Sequence, residues 1–347
     1  MNPVELLSAM LRIPSLSLHE AELAAFLVAA MADLGFESYI DNAGNAVGVI
    51  GSGHDVVLLG HIDTVPGDVP VRIEDGRLYG RGAVDAKGPF ATFIMAAAQA
   101  HATGSLSHRL VLIGAVEEEA ASSKGAHAVI ERYQPTACII GEPSGWDRLT
   151  MGYKGRLLAD GVWQQPMAHS AGRERAVAEH AVSFWNAVAD YCTMFNHGRE
   201  RLFDQLLPSL RSMNSSSDGL TDRAELTIGL RLPLDCDPAA LAAAISALAG
   251  NATLQFRDGC RAYQGERNTP LVRTFLRAIR ANGGTPGFLL KTGTSDMNVV
   301  GPAWRCPILA YGPGDSALDH TPDERIVIAE YLRAIDILGL ALRGLAA

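Results

Sequence analysis

Histidine and carboxylate residues recur directly behind apolar runs in this chain. His61 and Asp63 follow VVLLG, the triplet Glu117, Glu118 and Glu119 follows RLVLIGAV, and Glu142 follows ACIIG. Asp85 stands in GRGAVDAKG, just ahead of a helical pattern. Histidine with carboxylates and no thiolate is a donor set for zinc, manganese or cobalt, not for a soft metal or an iron–sulfur cluster. In His61-Ile62-Asp63 the two polar side chains are two apart on extended backbone and point the same way. Asp63 can therefore accept the other imidazole N–H and hold the tautomer. Gly80 and Gly82 flank Arg81 and permit a tight bend around Asp85. Within the triplet, labour can divide, with one glutamate a ligand and its neighbour a proton acceptor. Taken alone, the triplet also reads as a solvated helix start, where negative charge is favourable.

Such groups need a scaffold that brings them together, and the apolar pattern supplies one. Helical spacing covers residues 3–11 and 19–34, with Gly35 a natural stop. Strand-like runs at 46–50, 56–60, 110–116 and 137–141 alternate with helical stretches at 89–103 and 123–133, the pattern of an open α/β sheet. In such sheets ligands bind at the carboxyl ends of the strands, where the polar constellations fall. From about residue 155 to 261 the order changes to strand (156–164), helix (174–195), two strands (206–213 and 224–232), helix (238–248) and strand (252–257). That βαββαβ order is a ferredoxin-like split unit inserted into the first domain. The expected division is 1–154 with 262–347 as one discontinuous domain and 155–261 as the insertion. Helix 269–282, strand 307–311 and helix 324–343 complete the first domain. SMNSSSDG at 212–219 reads as a turn cluster, and GVIGSG at 48–53 as a hairpin turn.

Composition narrows the function classes. A length of 347 residues with 48% hydrophobic content suits two packed domains. No stretch reaches the roughly 18 apolar residues of a membrane span. The N-terminal run has no basic region and no small-residue cleavage site, so no signal peptide and a cytoplasmic location are expected. Five cysteines without a CxxC pair are expected to be reduced thiols. A net charge of −9 disfavours nucleic acid as the main partner.

The blocks GHIDTV, GRGAVDAKG, VEEE, IIGEPS and GDSALDHTPDER together resemble the signature blocks of the M20 dinuclear metallohydrolases, from the first helix to the last. The resemblance implies a zinc-peptidase-like α/β catalytic domain with a mixed central sheet. It also implies a ferredoxin-like lid that usually makes the homodimer, and two divalent ions of the zinc class, with cobalt or manganese as alternatives. Carried over by position, His61, Asp85, Glu119, Glu142 and His320 would be the metal ligands, with Asp85 bridging both ions. Glu118 would be the general base and Asp63 the partner of His61. The family motif usually reads Asp-Glu-Glu where this chain has three glutamates, so Glu117 and Glu118 form an alternative base and ligand pair. His169 in PMAHSA resembles the lid histidine that stabilises the oxyanion, although the surrounding glycine, proline and asparagine of the family are largely missing. Arg231 in IGLRLP, with Lys291 and Ser295 in KTGTSDMN, resembles substrate-binding positions.

GRGAVDAKGP, EEEAASSKGA, LRSMNSSSDG and KTGTSDMN are similar to one branch of the family. Its members release lysine or ornithine from the terminal glutamate side chain of an amino-group carrier protein in lysine and arginine biosynthesis. Carriers of this kind are acidic, so an enzyme of net charge −9 needs a local basic patch. Lys154, Arg156, Arg173, Arg175, Arg199 and Arg201 are the candidates. A small-molecule deacylase, desuccinylase or dipeptidase is the alternative reading, and a non-catalytic binding protein on the same fold is a third. An unligated carboxylate such as Glu118 beside the metal ligands argues against the third.

Overall fold

The structure, a computed structural model, describes every residue except Ser105, Ser170, Ala171, Arg173, Ala346 and Ala347. It contains two compact units: Met1–Gly152 with Gly265–Leu290 and Ser295–Ala347, and Tyr153–Gln264 with Lys291–Thr294. Each has its own apolar core.

In the first unit, the central sheet runs in the order Glu37–Ile40, Ala46–Gly51, Arg109–Ala115, Asp55–His61, Ala137–Gly141, Ile308–Ala310, Arg148–Tyr153. The pairings from Arg109–Ala115 to Ile308–Ala310 are parallel and the flanking ones antiparallel, so the sheet is mixed. The parallel strands are apolar on both faces, as burial on both sides requires. The helix Lys87–Ala102 lies among them, buried along most of its length, and packs against the terminal helix Ile328–Gly344. The first helix, Pro3–Arg12, opens on a capping box in which Asn2 and Glu5 satisfy each other's backbone N–H.

A row of glycines makes close packing possible beside the strand ends. Gly60 pairs across the sheet with Gly114 on one side and Gly141 on the other. Phe90 and Phe93, from the buried helix, fill the space their missing side chains leave, Phe90 beside Gly60 and Gly114 and Phe93 beside Gly141. A Cβ on Gly114 would meet the Phe90 ring at 2.9 Å, and one on Gly60 would meet it at 3.2 Å. Each of these strands thus carries a glycine at or next to its end, one to five residues before its charged group.

The second unit is a four-stranded antiparallel sheet ordered Leu207–Ser217, Thr221–Leu232, Gly155–Pro166, Thr253–Cys260. Helices Val177–Phe195 and Pro238–Ser246 give it the βαββαβ order of a ferredoxin-like insertion. Trp163 and Phe184 pack in its core with ring centroids 5.4 Å apart.

Several local readings are corrected. The serine-rich run 212–219 is strand as far as Ser217, and only Asp218 and Gly219 turn, with Asp218 accepting from the N–H groups of Leu220 and Thr221. Its side chains are exposed, so no alternation of apolar residues marks it. Residues 48–53 form no hairpin: Ala46–Gly51 and Asp55–His61 both pair with Arg109–Ala115, which lies between them. The expected helix 324–343 begins only at Ile328, because Arg325–Val327 is a strand paired with Arg77–Tyr79. The helix expected at 123–133 is confined to Lys124–Val129. Among the described residues no helix is long and apolar enough to cross a membrane.

Candidate metal centre

All of the expected metal ligands belong to the first unit. His61 closes its strand, the glutamate triplet follows the neighbouring strand, and Glu142 follows the strand on the other side. Asp85 arrives on the bend before the buried helix, and His320 comes from the segment after the short 3-10 turn Ser316–Leu318.

Asp85 divides its carboxylate between the two imidazoles. Its Oδ1 lies 3.0 Å from His61 Nε2, and its Oδ2 lies 2.9 Å from His320 Nε2. Glu119 Oε1 lies 2.7 Å from the same His320 nitrogen, and Glu142 Oε1 lies 3.9 Å from His61 Nε2. Two triads result, His61–Asp85–Glu142 and Asp85–Glu119–His320, the donor atoms within each lying within 4.8 Å of one another. Glu118 forms a third such group with His61 and Glu119. Two imidazoles, three carboxylates and no thiolate, with one carboxylate common to both triads, form a donor set that fits two divalent ions.

Asp63 organises this edge from behind. It is fully buried, and its Oδ1 lies 3.3 Å from His61 Nδ1. It also accepts from the backbone N–H groups of Glu118 and Glu119, at 3.1 and 3.0 Å, and from the Ser17 hydroxyl at 2.7 Å. His61 Nδ1 also lies 3.1 Å from the Asp63 carbonyl oxygen, so one residue holds both the histidine and the turn that presents the two glutamates. Glu117 sits at φ 60°, and Glu20 accepts from its N–H. Its own side chain takes a hydrogen bond from Ser122 at 2.6 Å and lies 3.3 Å from Lys124. Glu119, not Glu117 or Glu118, is the triplet member that meets His320.

The electrostatics follow from crowding like charges at a buried edge. Burial pushes the Glu118 carboxyl well above the usual carboxylate range; His61 opposes the shift, and Glu142, Glu119 and Asp296 reinforce it. Burial also raises Glu119. For Asp85 burial acts upward, but hydrogen bonds from His320 and His61 prevail and hold it below its ordinary value. His320 is raised to about 10 by its hydrogen bonds to Asp85 and Glu119. His61 is raised although burial acts downward, because Asp63 and Asp85 outweigh it.

Two further acidic groups were not assigned from sequence, although both fall inside quoted motifs. Asp296, in KTGTSDMN, is buried with Oδ1 lacking a hydrogen-bond partner, and burial raises it to about 7. Glu324, in DHTPDER, is fully buried against the bend that carries Asp85. Nothing in spacing alone separates them from the surface acids around them.

The remaining expected site residues are divided between the two units. Ser295 belongs to the first unit, but its Oγ accepts from the Met297 N–H within its own loop. Arg231, Lys291 and His169 belong to the second unit. Arg231 donates to Thr294 Oγ1 at 3.0 Å, Lys291 is half-buried, and His169 is exposed.

The expected basic patch needs correction as well. Lys154 is buried, its ammonium held by the carbonyls of Leu202, Phe203 and Gln205. Arg199 is paired with Asp235, Arg201 with Asp204, and Arg175 with Glu179. Arg156 has a buried Nε without a hydrogen-bond partner, and Arg173 lies outside the described residues. Of the six positive charges that the sequence suggested, Arg175, Arg199 and Arg201 are paired with neighbouring carboxylates and Lys154 is held by carbonyls.

Comparison with known proteins adds to this geometry. The model of peptidase family M20/M25/M40 matches residues 57–344. A LysW-lysine hydrolase of Deinococcus radiodurans is 49% identical over 98% of this chain and 96% of its own. An M20-family metallo-carboxypeptidase from Sulfolobus solfataricus superposes with a TM-score of 0.83 at 17% identity, covering 99% of both chains. A dinuclear metal-binding M20 peptidase from Bacillus subtilis gives a TM-score of 0.71 at 14% identity, covering 99% of this chain and 97% of that one.

Proposed function

The chain belongs to peptidase family M20/M25/M40, and from that premise we propose that it is a metal-dependent amidohydrolase that frees lysine or ornithine from a carrier protein. The bond cleaved is the amide between the side chain of the carrier's terminal glutamate and the amino group of the product. The carrying observation is the pair of triads that share Asp85, with the half-buried Glu118 within reach of His61 and Glu119. The relative named for LysW-lysine, 49% identical over nearly the whole length, supports the choice of substrate.

His61, Asp85 and Glu142 would hold one divalent ion, and Asp85, Glu119 and His320 the other, zinc being the first candidate and cobalt or manganese the alternatives. Such ions supply polarisation of the scissile carbonyl and a lowered pKa for water. Asp63 holds His61 in one tautomer and fixes the backbone of Glu118 and Glu119. Glu118 is the general base: it takes the proton of the attacking water and returns it to the leaving amine. A carboxyl whose proton affinity is raised by burial suits both halves of that task near neutral pH. His169, Arg231, Lys291 and Ser295 remain candidates for oxyanion and substrate contacts. The second unit would serve as lid and homodimer contact, in a cytoplasmic enzyme.

One observation favours a second reading. Among the described residues, Arg175, Arg199, Arg201, Arg223, Arg257 and Arg261 of the second unit are paired with carboxylates, which reduces the positive charge free to meet an acidic carrier. A small-molecule deacylase needs no such surface. Parallel assays of carrier-linked lysine, carrier-linked ornithine, acetyl-lysine and acetylornithine decide between the two. The carrier reading expects kcat/KM for a carrier-linked substrate to exceed that for the free acyl amino acids; the reverse order supports the deacylase.

A further inference from the structure

We infer that Glu324 is a positioning residue for the metal centre, setting the bend that presents Asp85 to both triads. The inference rests on the metal-centre reading above and concerns a residue that touches none of the proposed ligand side chains.

Glu324 is fully buried. A buried carboxylate is costly unless its oxygens are satisfied, and these are satisfied by the bend alone. Oε1 accepts from the backbone N–H groups of Gly82, Val84 and Asp85 at 3.1, 2.9 and 3.1 Å. Oε2 accepts from Arg81 Nη1 at 2.7 Å, and Arg81 Nε donates in turn to the Gly67 carbonyl at 2.8 Å. The backbone joins in, since Gly80 N–H donates to the Glu324 carbonyl at 3.3 Å. One oxygen thus gathers three amides that no strand or helix ladder uses, the last of them belonging to Asp85. Gly82 permits this wrapping with a φ of 87°, which a side chain would strain.

A closed loop of contacts follows. The Asp85 backbone is held by Glu324, and the Asp85 carboxylate meets His320 Nε2 at 2.9 Å. His320 precedes Glu324 by only four residues on the same segment. The carboxylate therefore fixes the bridging ligand and the late histidine relative to each other through the backbone of the bend. Groups that orient metal ligands in this way are commonly worth about 10–100-fold in metal affinity or activity.

The conservative and the disruptive variants separate this role from general packing. In Glu324→Gln the amide oxygen can keep the three N–H groups only by turning its NH2 towards Arg81, and the flipped amide opposes the three N–H groups instead. Glu324→Ala leaves all three without an acceptor. The test strips full-length protein with a chelator and titrates it with Zn²⁺ against a chromophoric competitor, at a temperature well below unfolding. Absorption of the Co²⁺-loaded protein is recorded in parallel. Expected is a loss of affinity of about 10–100-fold for Glu324→Ala, a smaller loss for Glu324→Gln, and an altered cobalt spectrum in both. With saturating metal, kcat should fall while KM stays within about twofold, since substrate contacts are intact. Unchanged affinity and spectrum in folded Glu324→Gln, with only a lower melting temperature, would overturn the inference, and that variant alone decides if Glu324→Ala does not fold. Parent protein that binds no metal in the same titration overturns the metal-centre reading instead.

Discussion

The two units handle charge in opposite ways. At the strand ends of the first unit, Asp63, Asp85, Glu118, Glu119 and Glu142 crowd around His61 and His320, largely buried and mostly of one sign. In the second unit, Arg175, Arg199, Arg201, Arg223, Arg257 and Arg261 each lie against a carboxylate of their own, at or near the surface. Paired surface charge is self-sufficient and contributes little. Like charges packed at a buried edge raise one another's proton affinity and are stable only when something positive is shared among them. Imbalance, more than the number of charges, separates a binding site from structural decoration.

Four substitutions or conditions break or sharpen that contrast. The largest effect is expected from Asp85→Ala, which removes a donor from both triads; metal analysis should find both ions lost or weakly held, with activity at background. Glu118→Gln should retain the metal and lose about 10²–10⁴ in kcat, the usual worth of a general base. If Glu117 variants are dead and Glu118 variants active, base and ligand lie one residue earlier in the triplet. Acidification should act next. His61 and His320 are raised above the ordinary imidazole value, so protons compete with cations for the same nitrogens. Metal affinity should therefore rise with pH between 6 and 8, by about tenfold per unit for each proton displaced. Chelator competition at both ends of that range measures it, and a flat profile contradicts the assignment of the histidines. The smallest effect belongs to the second unit: Arg257→Ala, which breaks the pair with Asp160, should cost about 0.2–1 kcal/mol in chemical denaturation and leave metal content unchanged.

Much of the candidate site's arrangement along the sheet edge was legible because apolar parallel strands and the charged residues behind them are both visible as composition. VVLLG before His61 and ACIIG before Glu142 announce a buried strand and its exit in a few letters. The ferredoxin-like order was legible for a related reason, as its elements differ in length and period. What stayed hidden depends on partners distant in the chain. Arg199 reads as free positive charge until Asp235, thirty-six residues on, is seen against it. Glu324 looks like one acid in a polar run, and only the folded bend supplies its three amides. The serine strand failed for the opposite reason: exposed on both faces, it carries no burial pattern to read.

The glycine row also bears on when the centre comes into being. Gly60, Gly114 and Gly141 come together only after strands separated by dozens of residues have paired and Phe90 and Phe93 have settled beside them. The donors themselves stretch from His61 to His320: one triad closes over residues 61–142, and the other only once the segment that carries His320 is in place. Pairings so distant in sequence close late and slowly, because the entropy of long loops is lost before any contact repays it. A cation cannot nucleate such a fold as it does in a small zinc module, where ligands lie a few residues apart. On the metal-centre reading, the expected order is apolar folding first and metal loading second, so chelator-stripped protein should keep its fold and regain activity when metal is restored.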